Sequence, residues 1–171
     1  MVFQIIKQLR HLKDIIFNFK KNKLLINYKL LIFLLFTFSV SGQTRISLKD
    51  SILISKVLKF QQEAWNEGNI NKFMEGYLKS DKIVFTGSSG SIYGWKETKK
   101  RYLNKYSNRT LMGNLKFKII NFQKLSKDII QMQGSFYLKR KINDSKGFFS
   151  LIWKKENEKW YIISDHTSVS K

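Results

Sequence analysis

Two apolar segments near the end of the chain, split by a run of charge, constrain its fold most. Gly147-Phe-Phe-Ser-Leu-Ile-Trp153 and Trp160-Tyr-Ile-Ile-Ser-Asp-His-Thr-Ser168 flank Lys154-Lys-Glu-Asn-Glu-Lys159. Short segments rich in aromatic and β-branched residues, joined by a polar turn, read as a β-hairpin. The chain upstream has a different period. Ile54, Val57, Leu58, Gln61, Ala64 and Trp65 recur at steps of three and four. That spacing predicts a helix over about residues 48–67 with one buried face. Gly68 ends it, and Asn69 caps a second, shorter helix carrying Ile70, Phe73, Met74 and Tyr77. A one-residue break between two amphipathic helices implies a sharp bend, with both apolar faces turned to one core.

The middle of the chain supplies the remaining elements. A strand is predicted over 82–86, then the turn Gly87-Ser-Ser-Gly-Ser91 and a short return at Ile92-Tyr93. A third helix is predicted over 95–106. Leu115, Phe117 and Ile119 alternate with Lys116 and Lys118 in a strand over 115–125. Another strand follows over 128–140, before Asp144-Ser-Lys-Gly147 turns the chain into the final hairpin. Helices first and antiparallel strands later pack as α+β, with helices on one face of the sheet. A strongly curved sheet over helices forms a cone and leaves an apolar pocket inside it.

The N-terminus has a separate character. Residues 30–40 are an apolar run, preceded by Lys20, Lys21, Lys23 and Lys29 and followed by Val40-Ser-Gly42. A basic flank, a short apolar core and a small-residue exit are the parts of a secretory signal. The run is well short of the roughly 20 residues that span a bilayer. The expected organisation is therefore a leader over 1–42 and one domain over 43–171, exported to a bacterial periplasm or exterior. The alternative is a domain anchored by an uncleaved leader. Ile5, Ile6, Leu9, Leu12, Ile15, Ile16 and Phe19 are spaced as an amphipathic helix lying on a membrane. A start codon nearer Lys20 is the other reading of that block.

Composition removes several function classes. With no Cys there is no disulfide, thiol nucleophile, thiolate metal site or lipoprotein anchor. No His, Asp or Glu cluster has metal-ligand spacing, and no cofactor is implied. Gly87–Gly94 is glycine-rich but lacks the Lys-Ser/Thr ending of a phosphate loop; a hairpin at the pocket rim is expected there. The net charge of +20 invites a nucleic-acid reading. The leader carries seven Lys or Arg and one Asp, which leaves 25 basic and 11 acidic residues in the domain, or +14. Those bases are scattered among acids and not gathered in one block. The chain also has no Pro, a single Ala and abundant Lys, Asn, Ile and Phe, residues that A/T-rich codons favour. A solvated surface is expected, nucleic acid is disfavoured, and membrane contact is confined to the leader.

Gln62-Glu-Ala-Trp-Asn-Glu-Gly-Asn-Ile-Asn-Lys-Phe73, Tyr93-Gly-Trp95, Leu151-Ile-Trp-Lys-Lys155 and the segment from Trp160 to Ser168 together resemble the nuclear transport factor 2-like superfamily. Its cystatin-like, cone-shaped fold is implied for residues 50–168. Within it the chain is most similar to secreted bacterial domains of unknown function related to polyketide-cyclase and steroid-isomerase-like proteins. The resemblance implies isomerases, dehydratases, cyclases, hydrolases or non-catalytic modules, and homodimers are frequent among them. It does not select an activity.

Candidate residues follow from strand parity. Trp160, Ile162, Ser164 and His166 share one face of a regular strand; Tyr161, Ile163, Asp165 and Thr167 share the other. With Trp160 and Ile162 inside the cone, His166 faces the pocket and Asp165 does not. His166 is then a candidate general acid or base, or a structural histidine held by the scaffold. Trp65, Tyr77, Phe85, Tyr93, Trp95, Tyr102 and Trp153 occupy predicted inward positions, where they either pack the core or stack on a small apolar or aromatic ligand. The tyrosines could also donate to a developing oxyanion. Glu63, Glu67, Glu75 and Asp81 read as solvated or turn residues, so no carboxylate is expected inside the cone. That argues against the steroid-isomerase arrangement of an acidic base. Three readings result: a binder of a small, partly apolar molecule; an isomerase, dehydratase or cyclase using His166 and a pocket Tyr; and a homodimerisation module.

Overall fold

A computed structural model describes residues 7–21 and 45–170. The chain divides into two units, residues 1–43 and 44–171. In the first, residues 7–21 form a helix (α1) along which Leu9, Leu12, Ile15, Ile16 and Phe19 are exposed. The apolar run 30–40 and the exit at 40–42 lie outside the described residues. No helix among the described residues is long and apolar enough to cross a membrane.

The second unit opens with α2 (Leu48–Asn66). The Ser47 side chain accepts from the Asp50 amide at 3.0 Å and caps its first turn. The Asp50 carboxylate also accepts from Trp160 Nε1 at 3.1 Å, which ties the start of the helix to the last strand. Gly68, at φ 81°, breaks the helix. Asn69 then caps α3 (Ile70–Phe73) through the Lys72 amide. The expected second helix is shorter than its apolar spacing suggests. It tightens into a 3-10 turn (Met74–Gly76), and Tyr77 leaves it extended to bridge Ile162. The turn lies so close to α2 that a Cβ on Gly76 would overlap the Gln61 side chain, whose Nε2 donates to the Phe73 carbonyl at 2.9 Å.

Six strands follow: β1 (Val84–Gly87), β2 (Gly90–Tyr93), β3 (Asn114–Lys124), β4 (Ile129–Lys139), β5 (Ser145–Glu156) and β6 (Lys159–Val169). α4 (Trp95–Lys105) and a short α5 (Arg109–Met112) come between β2 and β3. The sheet order is β2-β1-β6-β5-β4-β3. The four long strands are antiparallel as expected, and the β1–β2 hairpin joins them through a parallel pairing of β1 with β6. This is the α+β fold with a curved, unclosed sheet on N-terminal helices. α5 and the parallel junction are not visible as periodicity.

An edge strand normally exposes unpaired backbone groups, and here α2 covers part of that edge. Gln62 accepts from the Phe117 amide at 2.7 Å. Asn66 accepts from the Leu115 amide at 2.7 Å and donates to its carbonyl at 3.0 Å. Helix and sheet are thus hydrogen-bonded along one side of the cone. Trp65 packs edge-on against Phe73 and Tyr106, with centroids at 5.2 and 4.7 Å, and its Nε1 donates to Met112 O at 3.0 Å.

The register of the long strands breaks at two places, and such bulges bend a strand. In β3, Ile119 faces Gly134 and Asn121 faces Gln133, so Ile120 is an extra residue. Gly134 is required beside this bulge, because a Cβ there would overlap the Phe149 ring and the Lys118 carbonyl. Gly134→Ala is expected to destabilise the fold by about 1–3 kcal/mol through overpacking. Urea denaturation would measure it, and an unchanged midpoint would show that Phe149 moves aside without cost.

Candidate functional site

β6 decides what the cone contains. Trp160 and Ile162 point inward, as their neighbours on the strand predict. The register then slips: Trp153 faces Ile162, but Ile152 faces Ser164, leaving Ile163 without an opposite residue. One inserted residue reverses the alternation beyond it. Asp165 and Thr167 therefore line the cavity, while His166 is exposed. The expected placement of His166 inside and Asp165 outside is reversed. So is the expectation that no carboxylate faces the cone.

The cavity has a volume of about 300 Å³. Leu58, Phe117, Phe149 and Leu151 are among its apolar walls. Asp165 sits between β1 and β5, opposite Phe85 and Leu151, and is 5% exposed. Tyr77 Oη donates to Asp165 Oδ2 at 2.6 Å, and Thr167 Oγ1 donates to Oδ1 at 2.8 Å. The Tyr102 hydroxyl, carried by α4, lies 3.3 Å from Tyr77 Oη. A buried carboxylate costs free energy unless donors replace its water, and two hydroxyls do so here.

Burial pushes the Asp165 carboxyl above its ordinary value of 3.8, against the bonds from Tyr77 and Thr167 and the charges of His166 and Arg101. Burial, and then the Asp165 charge, hold both Tyr77 and Tyr102 well above 10. Both phenols are thus O–H donors at neutral pH. With Tyr77 committed to Asp165, Tyr102 can give its proton to Tyr77 or, since that contact is long, to a ligand. The cluster can accept from a hydroxyl or amine, or donate through Tyr102 to a carbonyl.

The structure brings four of the eight sequence candidates together: Trp65, Tyr77, Phe85 and Tyr102 line the cavity. The other four lie elsewhere. Tyr93 is 66% exposed on β2. Trp95 packs beside the 3-10 turn, donating from Nε1 to Met74 O at 2.9 Å, with the Lys79 and Lys99 ammonium groups over its ring. Trp153 is fully buried in the core without lining the cavity, and its Nε1 has no partner. His166 is on the outer side of β6. Gly87 and Ser88 stand at the cavity, as expected of the glycine-rich turn. Sequence reasoning missed Asp165, Thr167 and Arg101. Asp165 is the one acidic residue of β6, and that was the available signal for it. No group of three or more His, Asp or Glu among the described residues could hold a metal ion.

The same architecture occurs in solved structures. A nuclear transport factor 2-like protein of unknown function from Shewanella oneidensis MR-1 is 32% identical, with a TM-score of 0.67 over 70% of this chain and 98% of its own. The chain belongs to the nuclear transport factor 2-like family. A cystatin-like protein of unknown function from Nostoc punctiforme shares 15% identity, with a TM-score of 0.59 over 74% of this chain and 96% of its own. A ketosteroid isomerase-like protein from Erwinia carotovora atroseptica shares 15% identity, with a TM-score of 0.61 over 73% and 99%. Those two share the fold with this nuclear transport factor 2-like chain and carry no activity over to it. No protein-family model and no curated protein matches the chain.

Asp165 makes stability depend on pH in a definite direction. Its carboxyl is a stronger proton acceptor in the folded state than in the unfolded one. Between 3.8 and its raised value the folded chain holds a proton that the unfolded chain has lost. Stability from this group is therefore lost as pH rises through that window and stays lost above it. Asp165→Asn is expected to remove the decline. Thermal denaturation of both proteins from pH 4 to 8 reads the difference, and parallel curves would contradict a desolvated Asp165.

Proposed function

We propose that the chain is an exported small-molecule-binding protein whose cone takes a mostly apolar ligand and grips one polar group on it. The observation that carries this reading is the cluster of Asp165, Tyr77 and Tyr102 in a cavity walled largely by apolar and aromatic side chains. A cavity of about 300 Å³ falls at the lower end of the range for small-molecule sites. An open cone favours a ligand over a pure assembly module, whose cone would be filled by side chains. The leader over 1–42, with its basic flank and small-residue exit, supports export of the domain.

2-Naphthol is a suitable probe, because it combines a flat apolar body with one hydroxyl donor. In an NMR titration it is expected to shift amides of Leu151, Asp165 and Tyr102. Naphthalene is expected to bind more weakly, and Asp165→Asn to reduce the preference between the two. Saturating probe without any change at cavity amides would overturn the reading.

A second reading is proton transfer. A carboxylate whose proton affinity is raised by burial, next to a phenol that can donate to an oxyanion, suits abstraction of a proton next to a carbonyl. The Asp165 carboxylate would take the proton as the carbonyl becomes an enolate, with the Tyr102 O–H donating to the enolate oxygen. This moves the enzyme reading from His166 to Asp165. 2-Tetralone in D2O is expected to exchange its α-protons faster with the protein than without it, and Asp165→Asn to abolish the acceleration. Equal rates for the two proteins would remove the catalytic reading and leave the binding one intact.

A further inference from the structure

We propose that the ligand of this cone is an organic anion, with its apolar body inside and its carboxylate, or a group of like charge, between Arg101, Arg140 and Lys105. The inference rests on the binding reading above and specifies the ligand class. All three cations line the same cavity as Asp165. They come from two parts of the fold, Arg101 and Lys105 from α4 and Arg140 from the turn after β4. Arg101 is set by stacking, its guanidinium lying 4.6 Å from the Phe85 ring centroid. Arg140 donates from Nε to the Asn143 carbonyl at 2.8 Å, and among the described residues its terminal nitrogens make no side-chain bond.

Three observations bear on what this cluster binds. First, ion pairs among the described residues engage Lys59, Lys72, Lys154 and Lys155, so these three cations, like most basic residues of the surface, are left for another partner. Second, two of the three are arginines, each half-buried, and a guanidinium offers the forked geometry that a carboxylate matches. Third, the cations oppose one another. Lys105 is held below its ordinary value by partial burial and then by the charges of Arg101 and Arg140. The Arg101 charge reaches Asp165 and the Arg140 charge reaches Asp144, but among the described residues neither carboxylate forms an ion pair with these cations, and a bound anion relieves the repulsion among them. The acid–phenol cluster around Asp165 repels an anionic end and accepts a hydroxyl. The two polar regions therefore orient a ligand, hydroxyl toward Asp165 and anion toward the arginines.

6-Hydroxy-2-naphthoate carries both groups on the same body as 2-naphthol. Calorimetry on the protein at low salt is expected to show it binding about tenfold or more tightly than 2-naphthol, as charge-assisted bonds to arginine allow. The Arg101→Gln/Arg140→Gln variant is expected to bring the two affinities together while still binding 2-naphthol, which also confirms that it is folded. In the unmodified protein the preference should shrink as sodium chloride is raised, with 2-naphthol unaffected. Equal affinities at low salt, or a preference that survives both the arginine substitutions and high salt, would overturn the anion assignment alone. Binding of neither compound would overturn it together with the cavity reading on which it rests.

Discussion

The cost of burying the Asp165 carboxylate is the constraint on which the site depends. A carboxylate away from water must be given donors, or it takes up a proton. Tyr77 and Thr167 supply those donors at 2.6 and 2.8 Å. Tyr77 reaches Asp165 because the 3-10 turn ends at Gly76, where the close approach to Gln61 excludes a side chain. Thr167 reaches it because both residues follow the same bulge. Helix, turn and strand are therefore tied to a single polar group at the centre of the sheet.

The same bulge explains why the cone holds one kind of chemistry and not another. An uninterrupted β6 would have placed His166 in the cavity and Asp165 on the outer face. With Ile163 left over, the strand presents Asp165 instead. The site gains an acceptor whose proton affinity burial has raised, surrounded by phenols that stay protonated. At the same cavity, Arg101, Arg140 and Lys105 supply charge of the opposite sign. A cavity that carries both an acceptor and cations among aromatic side chains discriminates by orientation as well as by size.

Much of the fold was legible in the residue pattern. The buried face of α2, the break at Gly68, the cap at Asn69 and the inward set of β3 all appear where spacing placed them. Half of the aromatic and histidine candidates reached the cavity. Trp65 and Tyr102 did so on the inward faces of α2 and α4, Phe85 on a strand paired on both sides, and Tyr77 where the chain leaves the 3-10 turn to bridge Ile162. Tyr93 ends the short strand β2 and Trp95 opens α4, where local spacing cannot say which way the chain turns. Trp153 is inward but deep in the core, a distinction that periodicity does not make.

The sequence by itself determined the element order, the helix ends and the apolar faces, because each of these follows from contacts within a few residues. The nuclear transport factor 2-like architecture was legible only through the resemblance of segments such as Gln62–Phe73 and Trp160–Ser168, since periodicity shows neither α5 nor the parallel pairing of β1 with β6. The tertiary structure alone decided the contents of the cone. A bulge depends on how two strands pair across the hairpin, and one extra residue reverses every side chain beyond it. The meeting of Tyr77 with Asp165, 88 residues apart, and of Arg101 with Arg140 leaves no local trace in the chain. Both juxtapositions exist only once the sheet has curved.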